Sequence, residues 1–258
     1  MSKGEVLKKG TDTSEWVIFG RNSVLEALRS KTGIEKIYLT YGSRQGVVQR
    51  IIASANELCI PVQEVSRSKM DSLAQTDKHQ GVAASVRQKA YCSVEDILAY
   101  SRIKEELPFI VLCDGIEDPH NLGAVLRTAE AAGVHGVVIP RHRSAGLTAA
   151  VVKASAGALF HIEVAQVTNM VRTMKELKQQ GIWLYGAEGA ADTVLYESNF
   201  REAVGLVIGG EGTGLSHSVK QTCDFLVSIP MTGLVGSLNA SVAAGVLIYE
   251  VLRQRTGQ

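Results

Sequence analysis

Three stretches of this chain set chemistry-capable side chains beside glycine at the end of an apolar run. In "GIEDPHNLGAVLRTAEAAGV", which follows "FIVLCD", Pro119 suits a helix start, and Asn121 sits in the first turn, where an amide can reach a ligand. Leu122, Val125, Leu126 and Ala129 make an apolar stripe, and Arg127 falls off it. In "GEGTGLS", which follows "VGLVIG", Glu211 lies between glycines. In "SIPMTGLVGSLNASVAAGVLIYEVLRQR", Ser237, Asn239 and Ser241 crowd the start of a helix behind Gly233 and Gly236. Capping that helix needs one of these side chains. The others are free to meet a ligand.

The spacing excludes two phosphate-binding loops. No G-K-[ST] occurs at the glycines, so there is no P-loop, and the third glycine of a dinucleotide fingerprint is replaced by Leu215 or His217. A carboxylate such as Glu211 repels phosphate and is better suited to orienting an arginine or a hydroxyl. The six histidines, at 79, 120, 135, 142, 161 and 217, share no metal-ligand spacing, and no metal is expected. Arg21, Arg141 and Arg143 stand in loops where they could meet nucleic-acid phosphate; a solvated surface explains them equally well.

Residues of this kind need a scaffold that brings distant loops together. Beyond Pro108 the chain alternates helical stretches with the apolar runs "FIVLCD", "GVVIP", "IWLYGA", "VGLVIGG" and "FLVSIP". Strands that are apolar throughout, with helices between them, predict a parallel sheet covered on both faces. Ligands then bind in the loops at the carboxyl ends of its strands. Leu238, Val242, Gly245, Tyr249 and Leu252 are spaced as one buried face of the last helix. Before Pro108, "WVIFG", "IEKIYLT", "PVQEV" and "GVAASV" alternate with helical segments, one of them amphipathic through Val48, Ile51, Ile52 and Ala55. The organisation expected is a small α/β unit over 1–88, with 1–14 flexible, a linker over 89–106 and a larger α/β domain over 107–258.

With 45% hydrophobic and 21% charged residues the 258-residue chain has the balance of a soluble globular protein. Its net charge of +1 hides a split: residues 1–90 hold 14 lysines and arginines against nine acidic residues, and the remainder 13 against 17. A basic amino-terminal third is compatible with nucleic-acid contact. The four cysteines, at 59, 92, 113 and 223, form no C-x-x-C pair, and the polar opening "MSKGEVLKKGTDTSE" lacks an apolar core. Both fit a reducing cytoplasm.

Taken together and in this order, "EDPHNLGAVLRTAEAAGV", "LVIGGEGTGLS" and "SIPMTGLVGSLNASVAAG" resemble the three signature motifs of the SpoU branch of the SPOUT methyltransferases. The preceding "IFGRNSVLEALRS…KHQGVAASV" resembles the L30e-like substrate domain of the ribosomal RNA members. One departure is Gly210, where the family often carries asparagine or alanine. The resemblance implies a trefoil knot in the carboxyl-terminal sheet, a homodimer, and S-adenosylmethionine held largely by backbone at Gly209, Ile229 and Leu238. It implies methylation of a ribose 2′-hydroxyl in RNA, with the closest likeness to enzymes acting on a guanosine of 23S ribosomal RNA. Arg127 would act on the hydroxyl and a phosphate, Asn121 and Ser237 would position ribose and phosphate, Glu211 would orient Arg127 or Asn121, and Asn239 would fix the knot loop. A guanidinium rarely gives up a proton, so Arg127 is read as an alkoxide stabiliser and phosphate clamp rather than a base. A transfer RNA methylase and a non-catalytic RNA-binding protein are the alternatives.

Overall fold

The computed structural model describes residues 15–29, 33–43, 46–234 and 236–257; the expectation for 1–14 lies outside them. The first sheet joins β1 (Glu15–Phe19), β2 (Ile34–Thr40), β3 (Val62–Val65) and β4 (Val82–Arg87) in the order β1-β4-β2-β3. β4 runs antiparallel to both neighbours, and β2 and β3 are parallel. Helices α1 (Arg21–Arg29), α2 (Val47–Glu57) and α3 (Arg67–Ala74) connect the strands. α2 buries Val48, Ile51 and Ala55, with Ile52 half-buried at the edge of that stripe, as its period predicts. Ser66 caps α3 by accepting from the Lys69 amide.

Residues 89–106, expected as a linker with a helical piece in "SVEDILAYSRIKEEL", carry α4 (Val94–Ile103). Ser93 and Asp96 close a reciprocal capping box at its start. Its Ile97 and Leu98 are buried against the second sheet, and Cys92 bridges to Ala165. Gly136 leaves room for this contact, since a Cβ there would lie 2.6 Å from Ile97.

The second sheet contains β5 (Phe109–Asp114), β6 (Gly136–Pro140), β7 (Glu163–Val167), β8 (Trp183–Ala187), β9 (Val204–Gly209) and β10 (Phe225–Val227). Its order is β10-β8-β9-β5-β6-β7, and every pairing is parallel. The central β5 and β9 are buried almost end to end, as their unbroken apolar runs require. β7, "EVAQV", was not among the expected strands; it lies at the sheet edge and mixes polar with apolar residues. Helices α5 (Pro119–Ala131), α6 (Ala149–Ala154), α7 (Met170–Gln179), α8 (His217–Thr222) and α9 (Ala240–Thr256) cover the sheet. Because the strands are parallel, all their carboxyl ends, and the loops that follow, share one edge of the domain. The chain goes from β5 outward to β7, then returns to place β9 on the other flank of β5. This reversal leaves a crevice of the kind that ligands occupy.

The expected inner face of α9 is corrected. Leu238, Val242 and Tyr249 are exposed, whereas Ala240, Ala244, Leu247, Ile248 and Val251 are buried. The helix is apolar on both faces, so periodicity alone could not choose between them. The small Ala240 and Ala244 permit close packing against α5 and β9, and that decided the choice.

Candidate active site

Asp114, at the end of β5, organises the first wall. Its backbone oxygen accepts from the Gly210 amide at 2.8 Å and its Oδ2 from the Ser216 amide at 2.8 Å, clamping both ends of the glycine loop. A Cβ on Gly209 would sit 2.2 Å from the Gly214 carbonyl carbon, and one on Gly210 would sit 2.2 Å from the Gly115 oxygen. No other residue type fits at either place. Asp114 went unnoticed in the sequence; a carboxylate ending an otherwise buried apolar strand was the available signal.

The second wall comes from the two helix starts. Asn239 caps α9, its Oδ1 accepting from the amides of Ser241 at 2.9 Å and Val242 at 3.3 Å. Its Nδ2 donates to Asn121 Oδ1 at 3.0 Å and also to Glu211 Oε1. Every polar atom of the Asn239 amide is thereby engaged. Asn121 is buried with its acceptor directed at Asn239, so it joins the helices as much as it offers itself to a ligand. Glu211 lies at the amino end of α9, where the helix dipole favours negative charge. The question of which polar residue caps is answered by Asn239; Ser237 is left to face the cleft.

Between these walls opens a cleft of about 520 Å³. Gly209, Glu211, Ile229, Ser237 and Leu238 all line it, with Glu188, Thr213 and Met231. Glycines at 209, 210, 212, 214 and 236 bring backbone without side chains to its wall, the amides of Gly210 and Gly214 being bonded to the Asp114 and Gly210 oxygens, and Ile208, Ile229 and Leu238 supply apolar surface. Glu188, also missed in the sequence, is paired with Lys220 at 3.0 Å. Arg127 does not line the cleft. It is exposed on α5, and among the described residues no hydrogen bond or ion pair engages it. Arg141 and Arg143 are exposed in the loop after β6, at the same edge of the sheet as the cleft, and Arg143 holds φ at 57°. Arg21 lies on the first unit and donates through Nε to the Gln80 oxygen at 3.3 Å.

Burial pushes the thiols of Cys113 and Cys223 up to about 12 and that of Cys92 up to about 11, so none of these offers a thiolate near neutrality. Among the described residues no cluster of three metal-ligating side chains occurs, and no helix is long and apolar enough to cross a membrane.

Residues 108–249 match the family model described as the SpoU rRNA methylase family, and 17–92 match that for RNA 2′-O ribose methyltransferase substrate binding. The YacO protein of Bacillus subtilis, assigned by name to the TrmH family of tRNA/rRNA methyltransferases, is 44% identical over 92% of this chain and 95% of its own length. A crystal structure of an RNA 2′-O ribose methyltransferase superposes with a TM-score of 0.77 at 27% identity, covering 95% of this chain and 90% of that one. The fold is also shared, at 24% identity and a TM-score of 0.78, by the methyltransferase AviRb of Streptomyces viridochromogenes in complex with S-adenosylmethionine; the match covers 98% and 95% of the two chains.

Proposed function

The chain belongs to the SpoU rRNA methylase family, and on that premise we propose that its cleft binds S-adenosylmethionine and that the methyl goes to the ribose 2′-hydroxyl of a guanosine in 23S ribosomal RNA. One observation carries the site assignment. Three loops distant in sequence converge through Asn121, Glu211 and Asn239, and the cleft beside them is walled by glycine backbone. The residues suit the cofactor. A cleft of about 520 Å³ falls within the common range for small-molecule sites. Apolar Ile208, Ile229 and Leu238 suit a base ring, and the glycines let the backbone approach its polar edges closely. When bound, the cofactor supplies a methyl group on a positively charged sulfur.

The protein's own task is to orient the 2′-oxygen in line with that methyl and to stabilise it as its proton leaves. Ser237 lines the cleft and positions the ribose. Asn121 and Asn239 act as positioning residues that hold Glu211 and the start of α9. Arg127, exposed and without a partner among the described residues, is available to a phosphate and to the developing alkoxide. The segment 228–239, which returns from the edge strand β10 to the start of α9 beside α5, is the part that the knot of this family would involve. The unit over 1–88 serves RNA capture, that over 107–258 serves transfer, and Arg21, Arg141 and Arg143 are assigned to RNA phosphates. The enzyme works in the cytoplasm.

A homodimer completes the proposal. Val242 and Tyr249 lie 50% and 51% exposed along the outer face of α9, beside Tyr196 at 58%; such an apolar stripe calls for cover. Light scattering of a Tyr249→Glu variant as monomer, against a wild-type dimer, tests this.

The decisive experiment maps 2′-O-methyl groups in RNA from cells with and without the gene. Loss of one guanosine methyl in 23S RNA is expected. Loss confined to transfer RNA would reassign the substrate, and no loss in any RNA would overturn the reading.

A further inference from the structure

At one end of the first sheet, the turns after β1, β2 and β3 meet the turn before β4. This end is polar and exposed, yet it is held by a dense set of bonds. His79 is 4% exposed, with Nε2 bonded to Asp71 Oδ1 and Nδ1 accepting from the Gly81 amide, both at 2.9 Å. Gln80 holds φ at 56°, a conformation few non-glycine residues adopt. In that pose its Oε1 accepts from the Arg21 amide at 3.1 Å and its backbone oxygen from Arg21 Nε. The Thr40 amide donates to the Gly81 oxygen at 3.0 Å, and the Thr40 and Ser43 hydroxyls bond at 2.7 Å. A Cβ on Gly81 would fall 2.8 Å from Thr40 Oγ1. Backbone held in a rare conformation by its surroundings is characteristic of ligand-contacting sites.

Projecting from this rigid end is Tyr41, 68% exposed, and the same end of the sheet carries the exposed cations Arg21, Arg67, Lys69 and Lys78. Of the acids here, Asp71 is bonded to His79, and Asp77 stands next to Lys78. The opposite end of the sheet carries Glu15 and Glu35, where the hydrogen bond and charge of Glu35 push the Glu15 carboxyl above its ordinary range. The cationic end is also continuous with the catalytic domain. Phe19, the last residue of β1, lies under Lys153 of α6 at 4.5 Å. Ala154 beside it packs against Gly123 of α5, where a Cβ would lie 2.4 Å away. Asn121 is two residues from that contact.

We propose that Tyr41 is a stacking surface for an unpaired base of the RNA substrate, with Arg21 and Lys78 holding the adjoining phosphates. The inference rests on the RNA methyltransferase reading and deepens it by assigning this end to a single-stranded segment rather than to duplex. A flat ring accepts any base face, and cations beside it neutralise the backbone. A duplex keeps its bases stacked inward and would leave Tyr41 without a partner.

The test uses the full chain and a fluorescent 12-nucleotide oligouridylate, with a 12-base-pair RNA duplex as comparison. Wild type should bind the single strand more tightly than the duplex. Tyr41→Ala should weaken single-strand binding about tenfold, the scale of one lost base stack, while Tyr41→Phe stays within twofold of wild type. Joint replacement of Arg21 and Lys78 by glutamine should lower the salt dependence of binding. Thermal unfolding and cofactor affinity of Tyr41→Ala should match wild type. Equal single-strand affinity of Tyr41→Ala and wild type, or no binding of the oligouridylate by wild type, would overturn the proposal. Methyl transfer by wild type to RNA from cells lacking the gene judges the underlying reading separately. If transfer occurs and KM for RNA is unchanged in Tyr41→Ala, only the stacking assignment falls.

Discussion

Asn239 Nδ2 donates to Asn121 Oδ1 at 3.0 Å across 118 positions of chain, tying the first turn of α9 to the first turn of α5. The same amide nitrogen reaches Glu211, and the oxygen caps α9. One side chain therefore serves three loops, and substitutions can separate its duties. Asn239→Asp keeps the capping oxygen but loses both donated bonds and sets a second carboxylate against Glu211. It should retain the α9 cap yet lose nearly all methyl transfer. Asn239→Ala should also lose the cap, lowering stability by about 1 kcal/mol. Chemical denaturation alongside single-turnover methylation distinguishes them; equal activity of Asn239→Asp and wild type would refute this role.

Arg127 should matter for rate and not for folding. It is exposed, outside the core stripe of α5 and outside the cleft lining. Arg127→Ala is expected to unfold at the wild-type temperature and to bind S-adenosylmethionine normally. Its single-turnover methylation should be slower by about a hundredfold, the scale of one lost electrostatic stabiliser. Arg127→Lys retains charge without the planar fork and should recover a small part. Calorimetry with the cofactor and rapid-quench kinetics with saturating RNA measure the two effects. A normal rate in Arg127→Ala would return this residue to the solvated surface.

Glycines 209 and 210 should tolerate no side chain. A methyl at either position meets backbone atoms at 2.2 Å, and backbone cannot swing aside as a flexible side chain can. Gly209→Ala and Gly210→Ala should each destabilise the protein by about 1–3 kcal/mol, the range for overpacking, and weaken cofactor binding further by shifting the loop. Gly233→Ala, where nothing lies within 4 Å, is the control and should leave stability near wild type. Urea titration with and without cofactor reads both quantities.

His135 should make stability fall on acidification. Its ring is buried, and Nδ1 accepts from the Phe109 amide at 3.0 Å, so the proton sits on Nε2 facing Glu106. Burial lowers its pKa from the ordinary 6.5, partly offset by the hydrogen bond to Glu106 and its charge, while Lys104 and Arg255 lower it further. The unfolded chain then binds a proton near pH 6.5 that the folded chain refuses. The stability contribution is complete above that pH and is lost progressively below it. Melting temperature measured from pH 7.5 down to 5 should decline more steeply in wild type than in His135→Gln. Parallel profiles would show that His135 does not govern the slope.

The length of fragment needed for the catalytic domain follows from α4. Ile97 and Leu98 are 0% and 3% exposed against the second sheet, and each buried side chain of this size contributes about 1.5–3 kcal/mol. A fragment spanning 89–258 should fold and bind S-adenosylmethionine, while 107–258 should not fold stably. Circular dichroism melts of the two decide; equal stability would mean that α4 is dispensable.

Much was legible in the residues themselves. Unbroken apolar runs such as "FIVLCD" and "VGLVIG", short and separated by helical stretches, read as strands covered on both faces, and glycine with polar residues after them marks where ligands approach. Those are local properties, encoded within a few positions of each other. Helix α5 likewise declared its buried stripe through spacing alone. The inner face of α9 did not, because apolar residues lie on both sides of the helix and only the surface of α5 could select Ala240 and Ala244. Nor could spacing say that Asn239, rather than Ser237, caps that helix, or that its amide reaches Asn121 and Glu211. Asp114 reads as an ordinary strand end until folding brings Gly210 and Ser216 to it. Linear order records which groups are available. Which of them meet depends on strand order and helix packing, whose free energies are summed over the whole chain and written at no single position.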